Sequence, residues 1–379
     1  MAAVTSNRSL VGKLYELNWL LPALVLAVGF LGVVMIYSAT GGVWDRGASN
    51  HLTRLFAGLC FMLVIALTNI RVWMGLAYPA FLVALALLVG VEFFGISVNG
   101  SQRWLDLGIT RMQPSEFMKM AMVLAMARFY HDLPPWRVSK PVGILFAVGI
   151  MALPVLLILK QPDLGTSLLL VATGVTMIFL AGINWRVIMS ASLAAAVFIP
   201  LFFVYGLKEY QRARIMTFLD PERDPTGASY HIIQSKIALG SGGVSGKGFL
   251  QGTQASLNYV PENRTDFVFT VIGEEFGLIG GLSTMGLYMI IIGVCFWLAN
   301  QCTAIFSRML ILGLTSTFAF YVFINLAMVM GLAPVVGVPL PLISYGGTVM
   351  FTVLAGFGMI LSAHLHRETQ LPRGSGLLL

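Results

Sequence analysis

The chain has 379 residues, of which 58% are apolar and only 10% charged. A water-soluble domain carries about a quarter charged residues, so this composition excludes an ordinary soluble fold and makes lipid the medium for the apolar excess. The net charge of +7 comes from Lys and Arg scattered between apolar stretches, with no basic run or stripe, which argues against nucleic acid and for contact with membrane lipid.

Crossing the hydrocarbon core takes about 20 apolar residues per helix. Such stretches fall at 18–38, 52–69, 72–94, 113–130, 142–160, 165–182, 185–206, 267–299, 305–331 and 345–364. The expected fold is therefore all-α: a polytopic membrane protein with ten transmembrane helices. A long polar loop, 207–266, separates helices 7 and 8. Residues 1–370 read as a single membrane domain, and Leu371–Leu379 (LPRGSGLLL) reads as an appended scar. Arg8 and Lys13 precede the first span as in a signal peptide, but its apolar stretch is too long, so an uncleaved helix is expected. The stretch 267–299 exceeds one straight span and predicts a tilted or extended helix.

An even number of spans puts both termini on one side. Segments on that side hold ten Lys and Arg, against six in the short segments opposite. The positive-inside rule then places both termini in the cytoplasm and the long loop outside. Arg103, Arg111 and Lys119 cluster on the disfavoured side, which calls for a reason beyond topology. Cys60, Cys295 and Cys302 lie in or beside apolar stretches without metal-ligand spacing, so packing explains them and no disulfide framework is expected.

Charged groups in or beside spans are informative, because each costs roughly 2.5–3.5 kcal/mol at mid-bilayer. Five acids qualify: Glu92, Glu116, Asp163, Glu274 and Glu275. Glu116 and Lys119 stand at i and i+3 and can pair, either for catalysis or only to neutralise two buried charges. The segment from Gly100 to Lys119 carries Arg103, Trp104, Arg111 and Pro114 as well. Pro114 suits a helix start, with Glu116 near its positive end. Cations gathered there can hold a phosphate or pyrophosphate, while Arg and Trp104 can equally be interfacial anchors. Asp163, in Gln161-Pro-Asp-Leu-Gly-Thr166, can cap the next helix or ligate a surface cation.

In the long loop, Gly240-Ser-Gly-Gly-Val-Ser-Gly-Lys-Gly248 fails the phosphate-loop spacing: 241 is serine where glycine is required, and 248 is glycine in place of Ser or Thr. It reads as a flexible or tightly turned loop, and ATP hydrolysis is rejected. Asp266 marks the join of the loop to the next span, where capping and a basic role both fit. The stretch beginning at Asn325 and running from Gly331 to Gly347 has three prolines and no charge. It predicts a broken or re-entrant segment that shapes a groove and does not react.

Taken together, GSQRWLDLG, QPSEFMK, QPDLGT, YHIIQSKIALGSGGVSGKG, PENRTDFVFTVIGEEFG and GLAPVVGVPLPLISYGG resemble the SEDS family (shape, elongation, division and sporulation), and in particular its cell-elongation members. Six long motifs in family order from Gly100 to Gly347 cover most of the chain. Thr348-Val349 departs from the small hydroxyl residues usual there. The resemblance implies a ten-helix peptidoglycan glycosyltransferase of the bacterial cytoplasmic (inner) membrane. It would act at the outer face on lipid II and on glycan linked to undecaprenyl pyrophosphate, with a class B penicillin-binding protein, a transpeptidase, as partner. Matched onto this chain, Asp266 becomes the catalytic base, and Arg103, Arg111, Glu116, Lys119 and Asp163 the substrate and pyrophosphate site. Trp104, Pro334, Ser344, Gly346 and Gly347 become groove-shaping residues. A divalent cation, Mg or Mn, is left open, and no nucleotide is expected. Two other classes stay in view: a lipid II flippase using Glu116, Lys119 and Asp163 as a polar path, and a non-catalytic scaffold for the crosslinking enzyme.

Overall fold

The computed structural model describes residues 9–98, 101–106, 108, 111–190, 193–194, 196–197, 216, 218, 228–253 and 264–373. A short helix α1 (Leu10–Glu16), capped by Ser9, leads into α2 (Leu20–Ala39). The chain continues through α3 (Arg46–Leu67) and α4 (Ile70–Phe94), whose N-caps Asp45 and Asn69 accept from Ala48 and Arg71 backbone N–H. Next come α5 (Pro114–Asp132), α6 (Pro141–Lys160) and α7 (Leu164–Leu180). After α8 (Ala228–Ser241) follow α9 (Val268–Asn300), α10 (Ile305–Val329) and α11 (Gly347–Leu365). Seven of these, α2, α3, α4, α6, α9, α10 and α11, are long and apolar enough to cross a membrane, and α7 is a shorter apolar helix.

Nine of the ten expected stretches coincide with helices, α2 to α7 and α9 to α11, and the expected span 185–206 falls largely outside the described residues. So does much of the expected loop. The part that is described is not irregular throughout: α8 packs on α9, and Ser235 Oγ donates to Val329 O at 2.7 Å, fastening it to the end of α10.

The helices divide into an inner and an outer set. α5, α10 and α11 are buried over most of their length, and α5 packs against α4, α10 and α7. The outer helices turn large apolar side chains away from the protein, among them Leu82 and Val83 on α4, Leu145 and Leu156 on α6, and Leu282 and Met289 on α9. Water would penalise such a surface and lipid does not. The inner position of α5 explains how a helix carrying Glu116 and Lys119 is kept from lipid.

Three features depart from the expected pattern. A three-stranded antiparallel sheet, β1 (Ile96–Val98), β2 (Ser101–Asp106) and β3 (Arg111–Met112), occupies the connection between α4 and α5. Secondly, α9 is not one long tilted helix. It breaks at Gly277, whose φ of 63° leaves the helical region. The glycine-rich loop docks into that break: Lys247 and Gly248 N–H donate to Glu274 O and Glu275 O at 3.0 Å, and Leu278 and Ile279 N–H donate to Gly243 O and Val244 O at 2.9 and 3.2 Å. Backbone groups freed by a break inside a membrane protein need such partners. Thirdly, Leu371 is buried in the main core, so the packed chain runs past residue 370.

Candidate active site

One end of the bundle gathers the starts of α5, α7, α9 and α11 with the end of α10, and the residues singled out in the sequence meet there. At the start of α5, with Pro114 as its first residue, Glu116 Oε1 accepts from Lys119 Nζ at 2.6 Å. Glu116 Oε2 accepts from the Tyr321 phenol at 2.6 Å, and Thr352 Oγ1 lies 3.5 Å away. Lys119 Nζ also contacts Tyr321, lying 4.3 Å from the centre of its ring. All three side chains are buried. Beside them, between α5, α10 and α11, is a cavity of about 40 Å³ lined by Glu116, Lys119, Phe318 and Thr352 among others. That is room for roughly two or three waters.

Lys119 is 3% exposed and closed on Glu116 and Tyr321, which is the pairing that the i, i+3 spacing allowed. It holds a buried carboxyl group in its hydrogen-bonded place, and removal of either partner would strand the other.

Asp163 is the N-cap of α7. Its Oδ1 accepts from Thr166 N–H at 3.1 Å, and its Oδ2 accepts from Thr166 Oγ1 at 3.0 Å and from Gln113 at 3.2 Å. Arg103, on β2, spans the same turn: it donates to Gln161 O at 3.2 Å and to Pro162 O, with Asp163 Oδ1 3.8 Å away. Capping thus takes up much of Asp163, and Arg103 is a staple between the sheet and the turn. Arg111, by contrast, is exposed on β3, and its carbonyl is 3.5 Å from Thr348 Oγ1 at the start of α11. Trp104 is half-buried on β2, opposite Ile96.

Asp266 is half-buried just before α9. The three carbonyls around it are each captured: Tyr345 N–H donates to Arg264 O at 2.8 Å, Ser344 Oγ to Thr265 O, and Asn325 Nδ2 to Asp266 O at 2.7 Å. The segment between α10 and α11 is non-helical, buried at Val338 and from Leu340 to Ser344 and half-buried over most of the rest. Ser344 is buried, Pro334 half-buried, Gly346 caps α11, and Gly347 lies against the Arg54 guanidinium. Gly337 (φ 71°) lies beside Asp266: a Cβ built there would sit 3.5 Å from Asp266 Oδ2. On the other side of this segment, a Cβ on Gly165 of α7 would fall 2.6 Å from Val336 O. The stretch 336–338 therefore packs against α7, two residues past Asp163, and against Asp266.

The remaining acids lie elsewhere. Glu92 is exposed near the end of α4. Glu274 accepts from Lys247 Nζ at 2.6 Å and from Thr253 N–H at 2.8 Å, while Glu275 accepts from Ser38 Oγ. Glu274 fastens the glycine-rich loop, and Glu275 ties α9 to α2. Sequence reasoning missed Tyr321, Arg54, and Arg264, which pairs with Asp45 at 3.0 Å. Each meets its partner through contacts far apart in sequence, and a lone Tyr in an apolar run gives no signal. Among the described residues, no three of His, Cys, Asp and Glu converge to hold a metal ion.

The chain is similar to known proteins over most of its length. The family model described as cell cycle protein, FtsW/RodA/SpoVE, matches residues 18–369. The peptidoglycan glycosyltransferase MrdB of Escherichia coli strain K12 is 45% identical over 349 residues, covering 91% of this chain and 92% of that one. Among solved structures, a chain from a study of structural coordination of polymerization and crosslinking by a peptidoglycan synthase complex superposes with a TM-score of 0.82. It is 30% identical and covers 93% of this chain and 99% of its own. The rod shape determining protein RodA of Thermus thermophilus gives a TM-score of 0.70 at 28% identity, covering 93% and 98%.

Proposed function

We propose, from the premise that this chain belongs to the FtsW/RodA/SpoVE cell cycle protein (SEDS) family, a peptidoglycan glycosyltransferase integral to the bacterial inner membrane. Its substrate is lipid II, which it polymerises into glycan strands at the outer face during cell elongation. Both termini then lie in the cytoplasm, and the end of the bundle holding Asp266 faces outward.

In this reading the donor is the growing glycan on undecaprenyl pyrophosphate, and the acceptor is a sugar hydroxyl of lipid II. The hydroxyl oxygen attacks the anomeric carbon as the bond to pyrophosphate breaks, so an α-linked donor gives a β-linked product in one displacement. Asp266 takes the hydroxyl proton. Pyrophosphate leaves with the bonding electron pair and needs no general acid. In this reading Arg111, exposed on β3, meets it, with Arg103 holding the sheet that carries the site. Glu116 and Lys119 act from inside the bundle by fixing the start of α5. Trp104, Pro334, Ser344, Gly346 and Gly347 shape the adjoining groove, and lipid tails lie between the outer helices. No step is routed through a metal, because no three of the described His, Cys, Asp and Glu side chains come together as a ligand set. A magnesium or manganese ion would be carried by the substrate's own pyrophosphate oxygens.

The observation that carries this reading is the setting of Asp266: a half-buried carboxylate at the edge of the bundle on a backbone pinned at three successive carbonyls. A flippase path would run through Glu116, Lys119 and Asp163, but each of these is engaged by internal partners. The similarity to a chain of a synthase complex that couples polymerization and crosslinking supports a crosslinking partner. We assign that partner to the class B penicillin-binding proteins. The test is polymerisation of lipid II by the purified chain, read on a product gel. Asp266→Asn is expected to abolish chain growth with folding intact, and retained activity would overturn the assignment of the base.

A further inference from the structure

Asn325 lies on the last turns of α10 with no exposed surface. Its Nδ2 donates to two backbone carbonyls, Asp266 O and Val338 O, both at 2.7 Å. Carbonyls only accept, so the chemistry fixes which end of the amide faces them. The other end, Oδ1, is buried and has no hydrogen-bond partner among the described residues. A buried amide with an unsatisfied end is a poor choice for packing alone. This amide joins three pieces: the end of a central helix, the residue just before the N-cap of α9, and the strip of backbone packed against α7.

We infer that Asn325 is a positioning residue for the Asp266 carboxylate. The inference rests on the reading of Asp266 as the base. Of the three donors around Asp266, two come from the irregular segment itself, whereas Asn325 refers the aspartate to a helix in the middle of the bundle. A site referred to a helix is held more tightly than one referred to a loop. The carbonyl held by Asn325 belongs to the same residue as the carboxylate, so fixing that peptide plane narrows the arc the side chain can sweep. Gly337 bounds the carboxylate on one side. Asn325 is fully buried and does not reach substrate, so it acts only through Asp266 and the 336–338 strip.

The test is a double-mutant cycle on the purified full-length chain, with lipid II as substrate and glycan product per minute as readout. Asn325→Leu, of similar size and without donors, is expected to lower kcat about a hundredfold, the scale of a misplacement of about 1 Å, while KM for lipid II stays within about twofold. In an Asp266→Glu background, where the carboxylate is already displaced, the same substitution is expected to cost less than about threefold. A purely structural role would cost the same factor in both backgrounds, and that result overturns the proposal. Asn325→Asp keeps the shape but has at most one proton to offer two carbonyls, so it serves if the leucine variant does not fold; the same loss is expected. Activity within threefold of wild type in a folded Asn325 variant also overturns the proposal. Asp266→Asn separates the two claims: if it stays active the base assignment fails, and if it is inactive while the Asn325 variants work, only the positioning role fails.

Discussion

Tyr321 and Asn325 stand one turn apart on α10 and hold two different parts of the site. The Tyr321 phenol donates to Glu116 Oε2 at 2.6 Å, and the Asn325 amide donates to Asp266 O at 2.7 Å. One helix therefore sets the spacing between the buried ion pair of α5 and the aspartate before α9. Displacement of α10 along its axis would move both together.

Removing the phenol should expose the first of these links. Tyr321→Phe leaves Glu116 with one donor fewer in a buried setting, a loss of about 1–3 kcal/mol. The expected result is a lower unfolding midpoint in detergent with reduced polymerisation. An unchanged midpoint would show that Tyr321 contributes packing alone.

The ion pair makes a sharper prediction. Lys119→Met should destabilise by about 3–5 kcal/mol, because it strands the Glu116 carboxylate. Adding Glu116→Gln should restore part of that loss, since the second substitution removes the stranded charge. Denaturation curves of the single and double variants decide it. If the double variant is as unstable as the sum of the singles, the two residues do not act as a pair.

At the break in α9, Gly246→Ala should abolish folding. Gly246 has φ 80°, and a Cβ would sit 2.1 Å from Glu275 O. Gly286, further along α9, has nothing within 4 Å of a built Cβ, so Gly286→Ala should be tolerated. Expression and gel-filtration profiles of the two variants give the comparison. Equal tolerance would show that the loop can leave its seat freely.

Thiol reactivity offers a further check. Cys302, in the connection between α9 and α10, is buried, and burial pushes its thiol up to about 11. A raised value keeps the group neutral at working pH, and the reactive thiolate appears only as the pH climbs toward that value. Alkylation at pH 8 by a water-soluble maleimide should spare Cys302 in the folded protein and reach it after denaturation, as mass spectrometry would report. Rapid labelling of the native protein would contradict the burial.

Arg111 is exposed beside the start of α11. If it meets the pyrophosphate, Arg111→Ala should cut kcat/KM about tenfold or more, with less loss in Arg111→Lys, which keeps the charge but not the fork. An unaltered rate would remove Arg111 from the site.

The spans were legible because a run of about 20 apolar residues has few other uses. The short-range features were legible too: Pro114 at a helix start, Glu116 with Lys119 three residues on, and Asp163 capping its own helix. What stayed hidden was non-local. The Tyr321 partner of Glu116 is 205 positions away, and the docking of Gly243 on Leu278 depends on where two distant glycines fall. The sheet at 96–112 escaped because strands of two to six residues leave too short a pattern. The burial of Lys119 was hidden for a related reason: sequence does not say which way α5 faces.

The seating of the glycine-rich loop bears on how this chain tolerates change. Loops ordinarily accept insertions and deletions more readily than the elements they join. Residues 242–248 form a loop by their irregular path, yet their backbone completes the interrupted ladder of another helix on both sides of Gly277. Its length is therefore set by the spacing of Glu274, Glu275, Leu278 and Ile279, not by the gap it bridges. A single residue added there would shift every donor out of register with its acceptor, so in descent and in engineering alike this stretch behaves as part of a helix.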